Sequence, residues 1–170
     1  MADDEFSDAI ELLENDHREV EDLFDEFEDA SGKEEKEQIA RQICTELKIH
    51  SMIEEEIFYP ALRGKIDEDV IDEAIVEHDG AKMLINDIEA GGPDEEFYDA
   101  KVKVLAEQIE HHVDEEEEEE DGMFALARET DVDLEELRDQ LMARKQELLQ
   151  QVRDGSLPPA QLSAVSHPTD

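Results

Sequence analysis

Basic residues are the scarcest chemistry in this chain. Lysine and arginine number 15 against 53 aspartates and glutamates, a formal net charge of −38. A nucleic-acid ligand is therefore not expected, because phosphate contacts need a basic patch. An anionic membrane surface is excluded for the same reason. Such a surface repels itself unless salt screens it. The expected setting is a cytoplasm, and a high-salt one would suit this charge. Loss of structure on dialysis into low salt supports that expectation, and full stability there contradicts it.

Other scarcities narrow the fold. Tryptophan is absent and aromatics make up 5%, so the core must come from Leu, Ile, Val and Ala within an apolar share of 38%. One cysteine, Cys44, leaves no partner for an intramolecular disulfide, and it sits within an apolar helical pattern. No apolar run reaches the length of a membrane span. The start, MADDEFSDAI, is acidic and does not read as a signal peptide. Seven glycines and five prolines, clustered at a few places, leave room for long helices with short connections.

Five helical segments follow from apolar spacing. The first is expected from Ser7 to Ala30, with Ile10, Leu13, Val20, Phe24 and Phe27 at steps of three and four once His17 is counted. The second runs from Lys33 to Leu62 on Ile39, Ile43, Leu47 and Ile57, with His50 and Glu54 filling a gap in the stripe and Pro60 near the end. The third, Asp67 to Ala90, carries Ile71, Ala74, Ile75, Ala81, Leu84, Ile85 and Ile88 around His78. The fourth opens at Pro93 and extends to Asp121, stopped by Gly122. The fifth, Leu134 to Val152, has Leu137, Leu141, Leu148 and Val152 on one face. The class is all-α: an up-down-up-down four-helix bundle over residues 1–130, a helical extension over 131–153, and a Pro- and Ser-rich tail from 154 to 170 expected to be disordered. His167 falls in that tail.

What interrupts the apolar stripes is chemically coherent. The stretch HHVDEEEEEEDGMF, residues 111–124, reads first as a solvated acidic run. At ~100° per residue, however, Glu116 lies about 30° and His112 about 70° from the apolar centre set by Val102, Leu105, Ala106 and Ile109. His111 lies about 170° away and Glu115 about 130°. His112 and Glu116 thus face inward, as His50 and Glu54 do, each pair at i, i+4 on one helix face. His17 and His78 are the inward histidines of the first and third segments. His17 to His50 spans 33 residues and His78 to His112 spans 34, so the chain repeats one unit: a helix with an inward His, then a helix with an inward His-x-x-x-Glu.

A lone histidine on an apolar face is ordinarily a hydrogen-bonded core residue. Six such groups in one small core would cost several kcal/mol each without compensation. Metal coordination removes that cost. Four imidazoles and two carboxylates, His17, His50, Glu54, His78, His112 and Glu116, suit iron or manganese, allow zinc, and suit magnesium or calcium poorly.

These residues resemble the hemerythrin-like, or HHE cation-binding, domain. NDHREV is similar to its first-helix motif, HSMIEEEIFYPAL to its most specific block, VEHDGAKML to its third-helix motif and HHVDEEEEEEDGMFALAR to its fourth, together covering residues 7 to 130. The resemblance implies a non-haem di-iron centre with an oxo or hydroxo bridge, held by the six residues above, with manganese or zinc the lesser alternatives. It implies O2, peroxide or nitric oxide as the small ligand. A regulatory module signalling iron or redox state through the fifth helix is the second expectation, a peroxide-consuming enzyme the third, and an acidic bundle without metal the last. Two features depart from the family's oxygen carriers. Those carry a fifth histidine one turn from the first on the third helix, whereas His78 has Ala74 and Lys82 at those spacings. One iron then needs water, a carboxylate or another side chain. In addition, His50 precedes Pro60 by ten residues but His112 precedes Ala125 by thirteen, which puts about three extra residues within or after the acidic run.

Overall fold

The computed structural model describes residues 5–165. Among them are seven α-helices and no strand: α1 (Ala9–Asp29), α2 (Lys33–Ile53), α3 (Tyr59–Leu62), α4 (Glu68–Ala90), α5 (Tyr98–Glu117), α6 (Met123–Arg128) and α7 (Leu134–Arg153). A π-helical segment, Glu54–Phe58, joins α2 to α3. Aspartates start three of the helices. Asp8, Asp67 and Asp133 each accept a hydrogen bond from backbone N–H groups of the first turn, which would otherwise lack partners.

Helices α1, α2, α4 and α5 close a ring in which each packs on two neighbours, and α7 lies outside it against α1 and α2. The interior is divided. One apolar cluster contains Ile10, Leu13, Ile53, Phe58, Leu62, Ile71, Phe124 and the α7 residues Leu137, Leu141 and Leu148. The other contains Val20, Phe27, Ile43, Leu47, Ala81, Ile85, Leu105, Ile109 and Val113. Helices α1, α2 and α4 cross from one cluster to the other, and the crossing residues are polar: His17 between Leu13 and Val20, His50 between Leu47 and Ile53, His78 between Ala74 and Ala81. Helix α5 leaves the second cluster at Val113 and ends in the polar layer with His112 and Glu116, while α6 supplies Phe124 to the first. The helices thus stack two dry layers around one polar layer.

Several boundaries differ from the sequence reading. Residues 93–97 form turns, and α5 begins at Tyr98 rather than Pro93. The fourth segment stops at Glu117, one residue after Glu116. The next acids fold into a turn in which the Glu118 carboxylate accepts from the N–H groups of Glu120 (3.0 Å) and Asp121 (2.5 Å). The extra residues of this half are therefore a loop after the helix. In the other half, the expected continuous helix loosens into the π segment just ahead of Pro60, whose missing N–H and ring disfavour the i→i−4 pattern. Val152, expected inward, remains exposed.

The tail also differs. Gly155, with φ +70°, closes α7 by accommodating a left-handed turn. Residues 158–165 then run back along α4. Asn86 exchanges two 2.9 Å hydrogen bonds with the backbone of Ala160, and the Asp79 carboxylate accepts from the N–H groups of Ser163, Ala164 and Val165 at 2.7–2.8 Å. Composition suggested disorder because few apolar side chains are available; this segment is held by its backbone instead. His167 lies outside the described residues.

Candidate metal centre

All six residues picked from helix phase are buried in the polar layer. His112 and Glu116 point in, whereas the His111 side chain is 66% exposed and that of Glu115 43%. The six form two groups. His17, His50, Glu54 and Glu116 each bring one ligand atom within 4.8 Å of the others, and so do Glu54, His78 and His112. Glu54 belongs to both. Its Oε1 lies 3.1 Å from His50 Nε2 and 3.2 Å from His78 Nε2. Glu116 Oε1 lies 3.3 Å from His17 Nε2 and 3.5 Å from His112 Nε2. His78 Nε2 and His112 Nε2 are 3.0 Å apart.

The donor set fits a cation. Among the described residues, the buried side-chain atoms with no hydrogen bond are His17 Nε2, His50 Nε2, both Glu54 oxygens and Glu116 Oε1. All belong to this cluster. Buried polar atoms without a hydrogen bond are costly, and these converge on one point. An ion at their convergence would relieve that cost.

Tyr59 is a member that phase reasoning missed. In a straight α-helix it would lie about 140° around from Glu54 and face away. The π turn changes this: Tyr59 N–H bonds to Glu54 O, so the two residues stand one π turn apart on the same face. The Tyr59 hydroxyl donates to Glu116 Oε2 at 2.8 Å and lies 3.2 Å from His78 Nε2 and 3.5 Å from His112 Nε2. It is the extra side chain beside the histidine pair that lacks a third imidazole. Burial and the neighbouring Glu116 and Glu54 charges push its pKa well above the ordinary phenol value.

A second set was also missed. Every imidazole gives its outward Nδ1–H to a carboxylate on the next helix of the ring. Glu117 of α5 takes His17 of α1 (2.5 Å), Asp16 of α1 takes His50 of α2 (2.9 Å), Glu55 of the π segment takes His78 of α4 (2.8 Å), and Glu77 of α4 takes His112 of α5 (2.8 Å). The circuit closes around the bundle. Asp16 and Glu77 each precede an inward His, while Glu55 and Glu117 each follow an inward Glu, so the internal repeat extends to these partners. Neighbouring position in the chain was the signal available, but it does not say which helix stands opposite. Burial pushes each carboxylate up, yet the imidazole beside it, together with Lys145 at Asp16, Ser163 and Lys82 at Glu55, and Arg18 at Glu117, outweighs burial, and all four fall below the ordinary range. Holding Nδ1–H outward leaves Nε2 as the inward ligand atom and raises its basicity.

The profile described as hemerythrin HHE cation binding domain matches residues 8–124. The chain belongs to that family. One solved structure, a hemerythrin HHE cation binding domain-containing protein from Mycobacterium kansasii that is an Rv2633c homolog, superposes with a TM-score of 0.72 at 25% identity, covering 89% of this chain and 95% of that one. A curated relative from Nostoc sp. (strain PCC 7120), described as a DNA nickase, is 29% identical over 118 residues. The match covers 69% of this chain but only 33% of that relative, so this chain spans about a third of its length.

The HHE domain here also contains a cavity of about 270 Å³ against all four imidazoles, its wall mostly apolar through Val20, Leu47, Ala81, Ile85, Ile109 and Val113, with Asp16, Glu19, Glu46 and Lys145 also lining it. Phe124 closes the other side, stacked on His17 at 5.8 Å. Cys44 is buried and plays no part; burial raises its thiol to about 12. No helix among the described residues is long and apolar enough to cross a membrane.

Proposed function

We propose that this HHE domain holds two non-haem iron ions, one at His17, His50, Glu54 and Glu116, the other at His78, His112 and Glu54. Tyr59, its hydroxyl bonded to Glu116, stands beside the second set where a third imidazole is missing. The observation that carries the reading is the convergence of orphaned buried atoms on this one cluster. When bound, the irons would supply electrons and an open coordination position to O2, peroxide or nitric oxide. The chain's own residues do the rest. The four outer carboxylates fix the imidazoles, the mostly apolar cavity admits a small neutral molecule while excluding bulk water, and the Tyr59 hydroxyl carries a proton at the second set.

Metal analysis with an optical spectrum tests this. Near two irons per chain, with an oxo-bridge absorption that changes on adding O2 or peroxide, is the expected result. His50→Ala and His112→Ala should lose metal while His111→Ala keeps it, and equal loss from His111→Ala would overturn the assignment. Turnover of many peroxide equivalents per centre would make the protein an enzyme.

A regulatory reading has one observation in its favour: Lys145 of α7 bonds Asp16 at 2.6 Å, and Asp16 takes His50. Deleting residues 131–170 is expected to abolish a partner's response under that reading. Nicking of DNA is a description of the longer Nostoc protein. The net charge of −38 opposes a phosphate backbone, and we leave DNA out of the proposal.

A further inference from the structure

Asp79, Lys82 and Asn86 form a stripe at helical spacing on α4, outside the metal-facing side, and none of the three serves the proposed chemistry. Asp79 and Lys82 are nonetheless buried, at 0% and 5% exposure. What covers them is the C-terminal segment. Lys82 Nζ donates to Gln161 O at 2.9 Å and reaches Ser163 Oγ at 3.2 Å, while Asp79 takes the three N–H groups at 163–165.

This strap also touches the metal cluster through a single carboxylate. Glu55 Oε2 holds His78 Nδ1–H at 2.8 Å and Lys82 Nζ at 2.9 Å. Its Oε1 accepts from the Ser163 hydroxyl and, at 3.1 Å, from Lys82. Of the four outer carboxylates, Glu55 is the one bonded to the strap.

We propose that docking of residues 158–165 and metal occupancy at the His78 half of the centre are thermodynamically linked, with Glu55 and Lys82 as the positioning residues that couple them. The inference rests on His78 being a ligand. A cation on His78 Nε2 polarises the ring and strengthens the Nδ1–H bond to Glu55, which pins Glu55 where Ser163 and Lys82 meet it. By reciprocity, a docked strap raises the metal affinity of that half by the factor by which metal favours docking. The strap is thereby a reporter of one half-site and not of the other.

The full-length chain, metal-free and loaded with zinc as a redox-silent probe, gives the test. Amide hydrogen exchange at Ser163, Ala164 and Val165 is expected to slow about fivefold or more on loading. Ser163→Ala and Asp79→Asn should weaken one zinc equivalent about 5-fold or more and leave the other unchanged, with Ser163→Thr restoring the affinity. Exchange that ignores zinc, or variants that weaken both equivalents alike, would overturn the linkage while leaving the two-metal reading intact. Uptake of both zinc ions by His78→Ala would overturn the linkage and the ligand assignment together.

Discussion

The Tyr59 hydroxyl donates to Glu116 Oε2 across 2.8 Å, joining the start of α3 in one half of the chain to the end of α5 in the other. The bond exists because the π turn carries Tyr59 onto the Glu54 face. Removing only the hydroxyl therefore isolates its contribution. Tyr59→Phe is expected to weaken the second metal equivalent about tenfold while the first stays within a factor of two, as read by zinc titration. Equal affinities in the two proteins would reduce Tyr59 to a packing role.

The outer carboxylates make a paired prediction. Asp16→Asn and Glu77→Gln remove the acceptor charge behind His50 and His112 without touching a ligand atom. Each should cost about 10–100-fold in metal affinity. Glu110→Gln, exposed on the same helix, should cost little. A comparable loss in Glu110→Gln would mean that bulk negative charge, not the ring of partners, sets the affinity.

Protonation follows the same geometry. Burial works against a charged imidazole, but in the metal-free chain the Glu54 charge and the Asp16 hydrogen bond outweigh it and raise His50 to about 10. His17 and His112 also end above their ordinary value, against burial, through Glu116 and their outer partners Glu117 and Glu77. Groups shifted upward lend stability that is complete below the unfolded value of about 6.5 and is lost as pH rises through the folded value. The metal-free protein should accordingly lose urea resistance between pH 6.5 and 10. Metal must displace these protons, so calorimetry in two buffers at pH 7 should show net proton release on loading, with His50 alone giving about one. Release of fewer than one would mean that the imidazoles are already neutral.

Gly122 is fixed by space rather than by backbone angle. A Cβ there would meet Glu118 O at 2.4 Å, Glu118 N at 2.6 Å and Glu116 O at 2.8 Å, and backbone atoms cannot swing aside. Gly122→Ala is expected to destabilise by about 1–3 kcal/mol, lowering Tm by roughly 2–10 °C, and to disturb metal binding through Glu116. Gly92→Ala, where a Cβ meets nothing within 4 Å, is the control and should melt within about 1 °C of the parent. Similar melting of both variants would show that the turn after α5 yields easily.

The division between sequence and tertiary structure runs along the range of the interactions. Helix periodicity is local, so the gaps in each apolar stripe were enough to select His17, His50, Glu54, His78, His112 and Glu116, and to separate His112 from His111. The internal repeat was legible for the same reason. Three other features depended on what stands opposite in space. The π turn shifts register by one residue, which turned Tyr59 from an outward to an inward position. Asp16, Glu55, Glu77 and Glu117 each serve a histidine on a neighbouring helix, a pairing that exists only once the ring α1, α2, α4 and α5 has closed. The strap at 158–165 is held by its backbone on Asp79, Lys82 and Asn86, and hydropathy carries no signal for such bonds. Sequence determined which side chains enter the polar layer; the tertiary structure decided what steadies them, because a hydrogen bond between helices requires a neighbour that local periodicity does not specify.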